Sequence, residues 1–129
     1  MREIKSYRDL EVWRLGIELV LDFYALTSRF PADERFGLTS QTRRAGVSVP
    51  SNVAEGHNRR SPQSNKAYRN HVSIALGSTG ELDTLLEVAL RLGYVKAEDL
   101  RAVNDKLNSV GRMLRRLQQS LETPRGRRI

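Results

Sequence analysis

The stretch of the chain with the clearest potential for chemistry is residues 41–56, QTRRAGVSVPSNVAEG. Polar side chains recur in it at steps of four, four and three residues, and therefore share one side of a helix: Arg44, Ser48, Asn52 and Glu55. A guanidinium, a hydroxyl, an amide and a carboxylate gathered in this way can bind a ligand or take part in catalysis. No nucleophile in the sequence has a base at a recognisable spacing, which favours a structural role.

Glu81 is the residue that would complete this set, because an antiparallel neighbouring helix can bring it opposite Arg44. A buried carboxylate needs a cation or several hydrogen-bond donors. We therefore predict a structural polar network that sets the register of two helices, formed by Arg44, Ser48, Asn52, Glu55, Ser78 and Glu81. An enzyme that uses Asn52, Glu55 and Glu81 is a third and weaker hypothesis.

Metal and nuclease chemistry have little support. The chain has no cysteine and two histidines, His57 and His71. No glutamate is followed three residues later by histidine, as di-iron bundles require. Neither histidine follows an arginine at the spacing that some helical ribonucleases use. We predict no catalytic residue, no metal, no cofactor and no enzymatic activity.

The positive charge is concentrated in two segments of a chain whose net charge is +7. Residues 56–80 contain four basic residues and no acid, and residues 106–129 contain seven basic residues and one acid. Between them, residues 81–105 have three basic and six acidic residues, whereas residues 1–55 sum to zero. Such clusters favour a polyanionic partner, although solvated helix faces explain the same charges. The predicted nucleic-acid-binding residues are Arg59, Arg60, Lys66, Arg69, Arg112, Arg115 and Arg116.

In the first basic cluster, Arg59 and Arg60 precede a predicted helix start at Ser61-Pro62, where free backbone donors and the helix dipole favour phosphate. Tyr68 is the only aromatic residue near this basic cluster in the sequence, so stacking on bases has little support. Binding dominated by the phosphate backbone and sensitive to salt is expected instead.

Four helices are predicted from hydrophobic periodicity and from start and stop signals, over about residues 7–28, 38–55, 62–92 and 97–122. Ser6 and Asp9 resemble a capping box, and Gly56 and Gly93 are natural helix ends. The last helix carries a heptad seam: Leu100, Val103, Leu107, Val110, Leu114, Leu117 and Leu121. An all-α, antiparallel up-down-up-down four-helix bundle in one domain, residues 1–123, is the simplest arrangement. Residues 124–129 are expected to be a basic disordered tail.

A cytoplasmic location is expected from three features of the sequence. No apolar run approaches the roughly 18 residues of a membrane span. The N-terminus lacks the pattern of a signal peptide. The absence of cysteine fits a reducing compartment.

Three segments resemble a known family: YRDLEVWRLGIELVLDFYALTSRFP, FGLTSQTRRAGVSVPSNVAEG and YRNHVSIALGSTGELDTLLEVALRLGY. They resemble the four-helix-bundle proteins encoded within intervening sequences of bacterial 23S ribosomal RNA genes, over about residues 7–95. Related bundles include the accessory variability protein of diversity-generating retroelements, a pentamer that binds nucleic acid and a reverse transcriptase. The residues that match are Gln41, Arg44, Ala45, Ser48, Pro50, Asn52, Ala54, Glu55, Gly56, Gly77, Ser78 and Glu81, and the resemblance attaches no catalytic role to them.

Two functions follow as expectations. In the first, a non-enzymatic homo-oligomer, a pentamer by resemblance, binds nucleic acid, preferably RNA, or a nucleic-acid enzyme through its basic surfaces. In the second, the bundle is purely a protein-binding or structural oligomerisation module, and its charge is incidental.

Overall fold

A computed structural model describes residues 3–122, in which there are helices and no strands. Four α-helices follow one another, α1 (Glu11–Thr27), α2 (Leu38–Asn58), α3 (Lys66–Arg91) and α4 (Ala97–Glu122), with 3-10 turns at Tyr7–Asp9 and Ala32–Glu34. Each helix packs against the next, and α1 also packs against α4. This confirms the predicted all-α four-helix bundle. The tail predicted at 124–129 lies outside the described residues.

The core is a single apolar cluster to which every helix contributes. Its largest fully buried side chains are Leu19 and Phe23 from α1, Val49 and Val53 from α2, Val72, Leu82 and Leu86 from α3, and Val110 and Leu114 from α4. The heptad seam of α4 faces this core: its first five positions are buried, whereas Leu117 and Leu121 are partly buried. Burial of this stripe is what holds α4 against the other helices.

The N-terminal capping box is present, but it caps a 3-10 turn and not α1. The Ser6 hydroxyl accepts a hydrogen bond from Arg8 N, and the Asp9 carboxylate accepts one from Ser6 N. Leu10 then adopts an extended backbone with φ −76° and ψ 126°, which interrupts the helix. For this reason α1 begins at Glu11, later than the prediction of about residue 7.

The connector between α2 and α3 also differs from the prediction at both ends. α2 continues past Gly56 to Asn58, and α3 begins at Lys66 and not near residue 62. The Ser61 hydroxyl accepts a hydrogen bond from Ser64 N at 3.1 Å, so Ser61 closes a local turn instead of capping the helix. The Ser64 hydroxyl accepts one from Lys66 N at 3.0 Å and leads into α3.

Gly56 does not end α2, because it is the point at which α3 approaches that helix. A Cβ at Gly56 would lie 2.9 Å from both His71 Cβ and Tyr68 Cδ1. Gly46 is similar, since a Cβ there would lie 2.8 Å from Phe23 Cδ2. These glycines allow close helix packing where a side chain would clash.

Alanine at two helical glycines is expected to change stability in opposite directions. Gly77 lies in α3 with nothing within 4 Å of a Cβ, so Gly77→Ala should raise the free energy of unfolding by about 0.5–1 kcal/mol. Gly56→Ala should lower it, because overpacking costs about 1–3 kcal/mol. Urea titration of both variants measures the difference. A Gly56→Ala protein as stable as the wild type would contradict the close approach.

A second stability prediction concerns Thr42, whose side chain is 1% exposed and whose hydroxyl has no hydrogen-bond partner within residues 3–122. Thr42→Val keeps the shape and removes the unpaired group, so the free energy of unfolding should rise by about 1 kcal/mol. Thr27→Val is the matched control. The Thr27 hydroxyl donates to the Phe23 carbonyl at 2.7 Å and accepts from Arg43 Nε at 2.8 Å, so the control should lose stability. A loss in both variants would contradict the prediction.

Candidate nucleic-acid interface

The two basic clusters predicted from the sequence lie toward the same end of the bundle. Asn65 Nδ2 donates to the Leu121 carbonyl at 3.3 Å, and Gln118 Nε2 donates to Ser73 Oγ at 2.9 Å. The start of α3 therefore lies beside the end of α4, and Arg116 is about 7.5 Å along the axis from Leu121. We call these cations the basic end: Arg59, Arg60, Lys66, Arg69, Arg112, Arg115 and Arg116. Arg112 lies near the middle of α4, and Arg115 Nη1 lies 3.6 Å from a Cβ placed at Gly111, in a cleft that Thr79 and Asp83 also line.

The acidic segment, residues 81–105, covers the second half of α3 and the first part of α4. Because the helices are antiparallel, its α3–α4 corner lies at the other end of the bundle. Asp99 there forms an ion pair with Arg29 at 3.0 Å. The charge of the α3–α4 side is therefore separated along the bundle axis, with the excess of positive charge toward the basic end.

The two arginines of the α2–α3 connector are partly occupied within the protein. Arg59 forms an ion pair with Glu55 at 3.0 Å, with its side chain 61% exposed. Arg60 Nη1 lies 2.6 Å from the His57 carbonyl oxygen and 2.7 Å from His57 Nδ1. The contacts with Glu55 and His57 therefore reduce the ability of Arg59 and Arg60 to bind phosphate.

The other five cations form no ion pair with any residue in the range 3–122: Lys66, Arg69, Arg112, Arg115 and Arg116. Arg112 donates to the Ser109 hydroxyl at 3.1 Å, which leaves its charge uncompensated. The first turn of α3 contains no acidic residue, so the helix dipole adds to the attraction for anions beside Lys66 and Arg69. These five side chains are the strongest candidates for phosphate contacts.

A cleft of about 380 Å³ lies at the connector and is lined by His57, Asn58, Arg60, Ser61 and Pro62. His57 is 5% exposed, and burial lowers its pKa, with a further contribution from the charge of Arg60. The imidazole is therefore neutral at pH 7, and it packs edge-on against Tyr68.

The lowered pKa of His57 makes stability depend on pH. Between its folded value and the ordinary value of 6.5, the unfolded chain binds more protons than the folded protein. The free energy of unfolding should have its full value above about pH 6.5 and should decrease as the pH falls below 6.5. Urea titration at about pH 7.5 and 5.5 tests this, since carboxylates titrate mostly below that window. His57→Gln should weaken the dependence; an unchanged dependence in His57→Gln would contradict the assignment.

The polar network between α2 and α3 forms around Asn52. The Ser48 and Ser78 hydroxyls lie 2.8 Å apart, and Asn52 Nδ2 donates to the Ser48 carbonyl at 2.8 Å. This leaves Asn52 Oδ1 to accept from His71 Nδ1 at 2.9 Å. His71 in turn lies 3.8 Å from Glu55 Oε2. Four predicted members thus meet, and the network ties the register of the two helices.

Arg44 and Glu81 do not join this network. Both are exposed, and neither forms a hydrogen bond or ion pair with the described residues. Glu81 is ten residues beyond His71, about 15 Å along α3, so it cannot reach Asn52. Long charged side chains at the rim of a packed helix pair keep their hydration in water, which avoids the cost of burial. The carboxylate expected in the interface is therefore in solvent.

The α3 partner of Asn52 is His71, which was considered from the sequence only as a metal-binding or ribonuclease residue. A usable signal was its position seven residues before Ser78, which places the two side chains on one face of α3 two turns apart. Within residues 3–122, no group of three or more His, Cys, Asp or Glu side chains is arranged to hold a metal ion. None of the described helices combines the length and apolar character that a membrane crossing requires.

The fold and the basic end together define a basic antiparallel four-helix-bundle protein. Residues 8–116 match the model of the 23S rRNA-intervening sequence protein family, and the chain belongs to this family. The fold is also similar to the crystal structure of a protein of unknown function of the S23 ribosomal protein family from Bacteroides thetaiotaomicron VPI-5482. That likeness has a TM-score of 0.75 at 21% identity and covers 84% of this chain and 98% of that one. No curated protein matches the sequence.

Proposed function

We propose that the protein is a non-enzymatic, cytoplasmic homo-oligomer that binds nucleic acid, with RNA favoured, through its basic end. The observation that carries this proposal is the convergence of the two basic clusters where Asn65 contacts Leu121. The clusters are far apart in sequence, and the antiparallel topology brings them together. A surface of this kind attracts phosphates by charge without reading base identity.

The interaction would depend on the five cations that have no carboxylate partner among residues 3–122. Each phosphate neutralised by a lysine or arginine releases condensed counterions, so affinity falls steeply with salt. The exposed positions of Lys66, Arg112 and Arg116 allow contact without rearrangement of the core. Arg59 and Arg60 would contribute less than their position in the sequence indicates, because Glu55 and His57 already engage them.

The oligomer is supported by resemblance and by exposed apolar side chains. The accessory variability protein of diversity-generating retroelements, a related bundle by sequence resemblance, is a pentamer. Along α3, Ile74, Val88 and Leu92 are 41–54% exposed, and Ile74 and Val88 are spaced to share one face. The same side chains support the second candidate function, a protein-binding or structural module in which charge plays no part.

Fluorescence polarisation with a labelled single-stranded RNA in about 50 mM salt tests the proposal, and light scattering reports the assembly. We expect binding that weakens with added salt, and a mass that is a multiple of the chain mass of 14.7 kDa. An assembly that binds no RNA or DNA at low salt would favour the structural module. A monomer would contradict the oligomer in both candidate functions.

A further inference from the structure

A second surface with the chemistry of a ligand site lies at the opposite end of the bundle from the basic end. A cleft of about 510 Å³ opens between the end of α1 and the start of α2. Two aromatic rings and three guanidinium groups line it, together with Thr39, Ser40 and Val47. We call it the arginine-aromatic cleft, defined by Tyr24, Arg35, Phe36, Arg43 and Arg44. None of the described residues that line it carries a carboxylate.

Both aromatic rings of the cleft are accessible, and each carries an arginine on its face. Phe36 is 85% exposed, with the Arg35 guanidinium carbon 4.7 Å from its ring centroid. Tyr24 is 44% exposed, with the Arg43 guanidinium carbon 4.5 Å from its ring centroid. A phenyl ring that is almost fully in water gains free energy when another flat apolar group covers it.

The two guanidinium groups of α2 in the cleft, those of Arg43 and Arg44, differ in their contacts. Arg43 is positioned by hydrogen bonds from its Nε to the Thr27 hydroxyl at 2.8 Å and from its Nη2 to the Tyr24 carbonyl at 3.5 Å. Arg44 forms no hydrogen bond or ion pair with the described residues. Arg43 is therefore fixed beside the rings, whereas the Arg44 side chain can change its conformation to contact an anion.

The Glu34 carboxylate, one residue before Arg35 in the chain, is held by hydrogen bonds and does not line the cleft. Glu34 accepts hydrogen bonds from Tyr94 Oη at 2.7 Å and from Leu38 N at 3.1 Å, outside the cleft. The cleft thus has excess positive charge and flat apolar faces. A second copy of the chain docked there would have to supply several acidic groups to compensate three arginines.

We propose that the arginine-aromatic cleft binds an unpaired nucleotide, with the base stacked on Phe36 and the phosphate held by Arg43 and Arg44. This inference rests on the proposed function, from which it takes nucleic acid as the class of ligand. Bases in a duplex are already stacked on one another, so the cleft would give the protein a preference for single strands that the basic end alone does not give. It also reverses the expectation from sequence that stacking has little support.

The test uses the full chain and two variants at one exposed position. In Phe36→Trp, the new indole should be quenched by adenosine monophosphate and by a 12-nucleotide uridine strand, whereas the wild type, whose one tryptophan is Trp13, should change little. In Phe36→Ala, affinity for the single strand should fall about tenfold and affinity for a duplex of equal length should stay within about twofold. Leu21→Ala, which removes another exposed apolar side chain, should change neither affinity.

Absence of quenching in Phe36→Trp, or an equal fall of both affinities in Phe36→Ala, would overturn the cleft while salt-sensitive binding at the basic end could stand. A wild type that binds no strand but whose Phe36→Trp variant is quenched by the mononucleotide would contradict the proposed function and support the cleft. If Phe36→Ala dissociates an oligomer and leaves single-strand affinity unchanged, the cleft is an interface between copies, and the inference is wrong.

Discussion

Reversal of three charges at the basic end, in the triple variant Lys66→Glu, Arg112→Glu and Arg116→Glu, is expected to lower affinity for single-stranded RNA about a hundredfold or more in about 100 mM salt. All three side chains are exposed and none is part of an ion pair within residues 3–122, so the fold should be unaffected. Each reversal removes a phosphate contact and adds repulsion. Fluorescence polarisation with one labelled strand measures the change.

A matched control carries the same change of net charge at the other end of the bundle. Arg91, Lys96 and Arg101 are all exposed, and the one ion pair among them, Arg91 with Glu87, is a surface pair of little energetic weight. Their reversal to glutamate should reduce affinity only through the total charge, by less than about tenfold at this salt concentration. Equal losses in the two triple variants would show that net charge, and not the basic end, governs binding.

Truncation of the central aromatic residue is expected to have the largest effect on stability. Phe23 is 0% exposed, and its ring lies directly under Gly46. Phe23→Ala removes the ring and leaves a cavity, so the free energy of unfolding should fall by about 3–5 kcal/mol, a large part of the about 5–15 kcal/mol of a typical domain. Urea titration measures the loss.

Phe36→Ala is the control for this prediction, because the same truncation is made on a ring that is 85% exposed. Its effect on the free energy of unfolding should be within about 0.5 kcal/mol. A Phe23→Ala protein that unfolds at the same urea concentration as Phe36→Ala would contradict the position of Phe23 at the centre of the core.

The helices themselves were predictable, because they depend on periodic burial along the chain. The seam from Leu100 onward predicted the fourth helix, which begins at Ala97 and continues to Glu122, the last described residue. Helix starts were less predictable, since a serine can cap a helix or close a turn with nearly the same local bonds. At Ser61 the turn with Ser64 forms, and the start signal of Ser61-Pro62 was therefore misleading.

The charged residues of the basic end were predictable, but their convergence and availability were not. Convergence depends on topology, which places the start of α3 beside the end of α4. Whether a cation is available to bind phosphate depends on its local partners. Glu55 contacts Arg59 and His57 contacts Arg60, and a count of charges along the sequence reveals neither contact. In the structure, Lys66 and the arginines of α4 are therefore more available to bind phosphate than the two arginines of the connector.

The arginine-aromatic cleft was missed because the charges of residues 1–55 sum to zero. Tyr24 and Phe36 are on either side of the turn between α1 and α2, so their proximity appears only when the helices fold back on each other. The polar network was partly predictable, since helical spacing identified Ser48, Asn52 and Glu55. Spacing alone could not show which polar residue of α3 would meet them.

The measurement that tests nucleic-acid binding at the basic end most directly is the dependence of single-strand RNA affinity on salt. If the five cations that have no ion pair within the described residues contact phosphates, the logarithm of the binding constant should fall against the logarithm of the salt concentration with a slope of about −3.5, at about 0.7 per contact. The triple basic-end variant should have a slope about two units shallower. A wild-type slope near zero, or one that the variant leaves unchanged, would contradict the account.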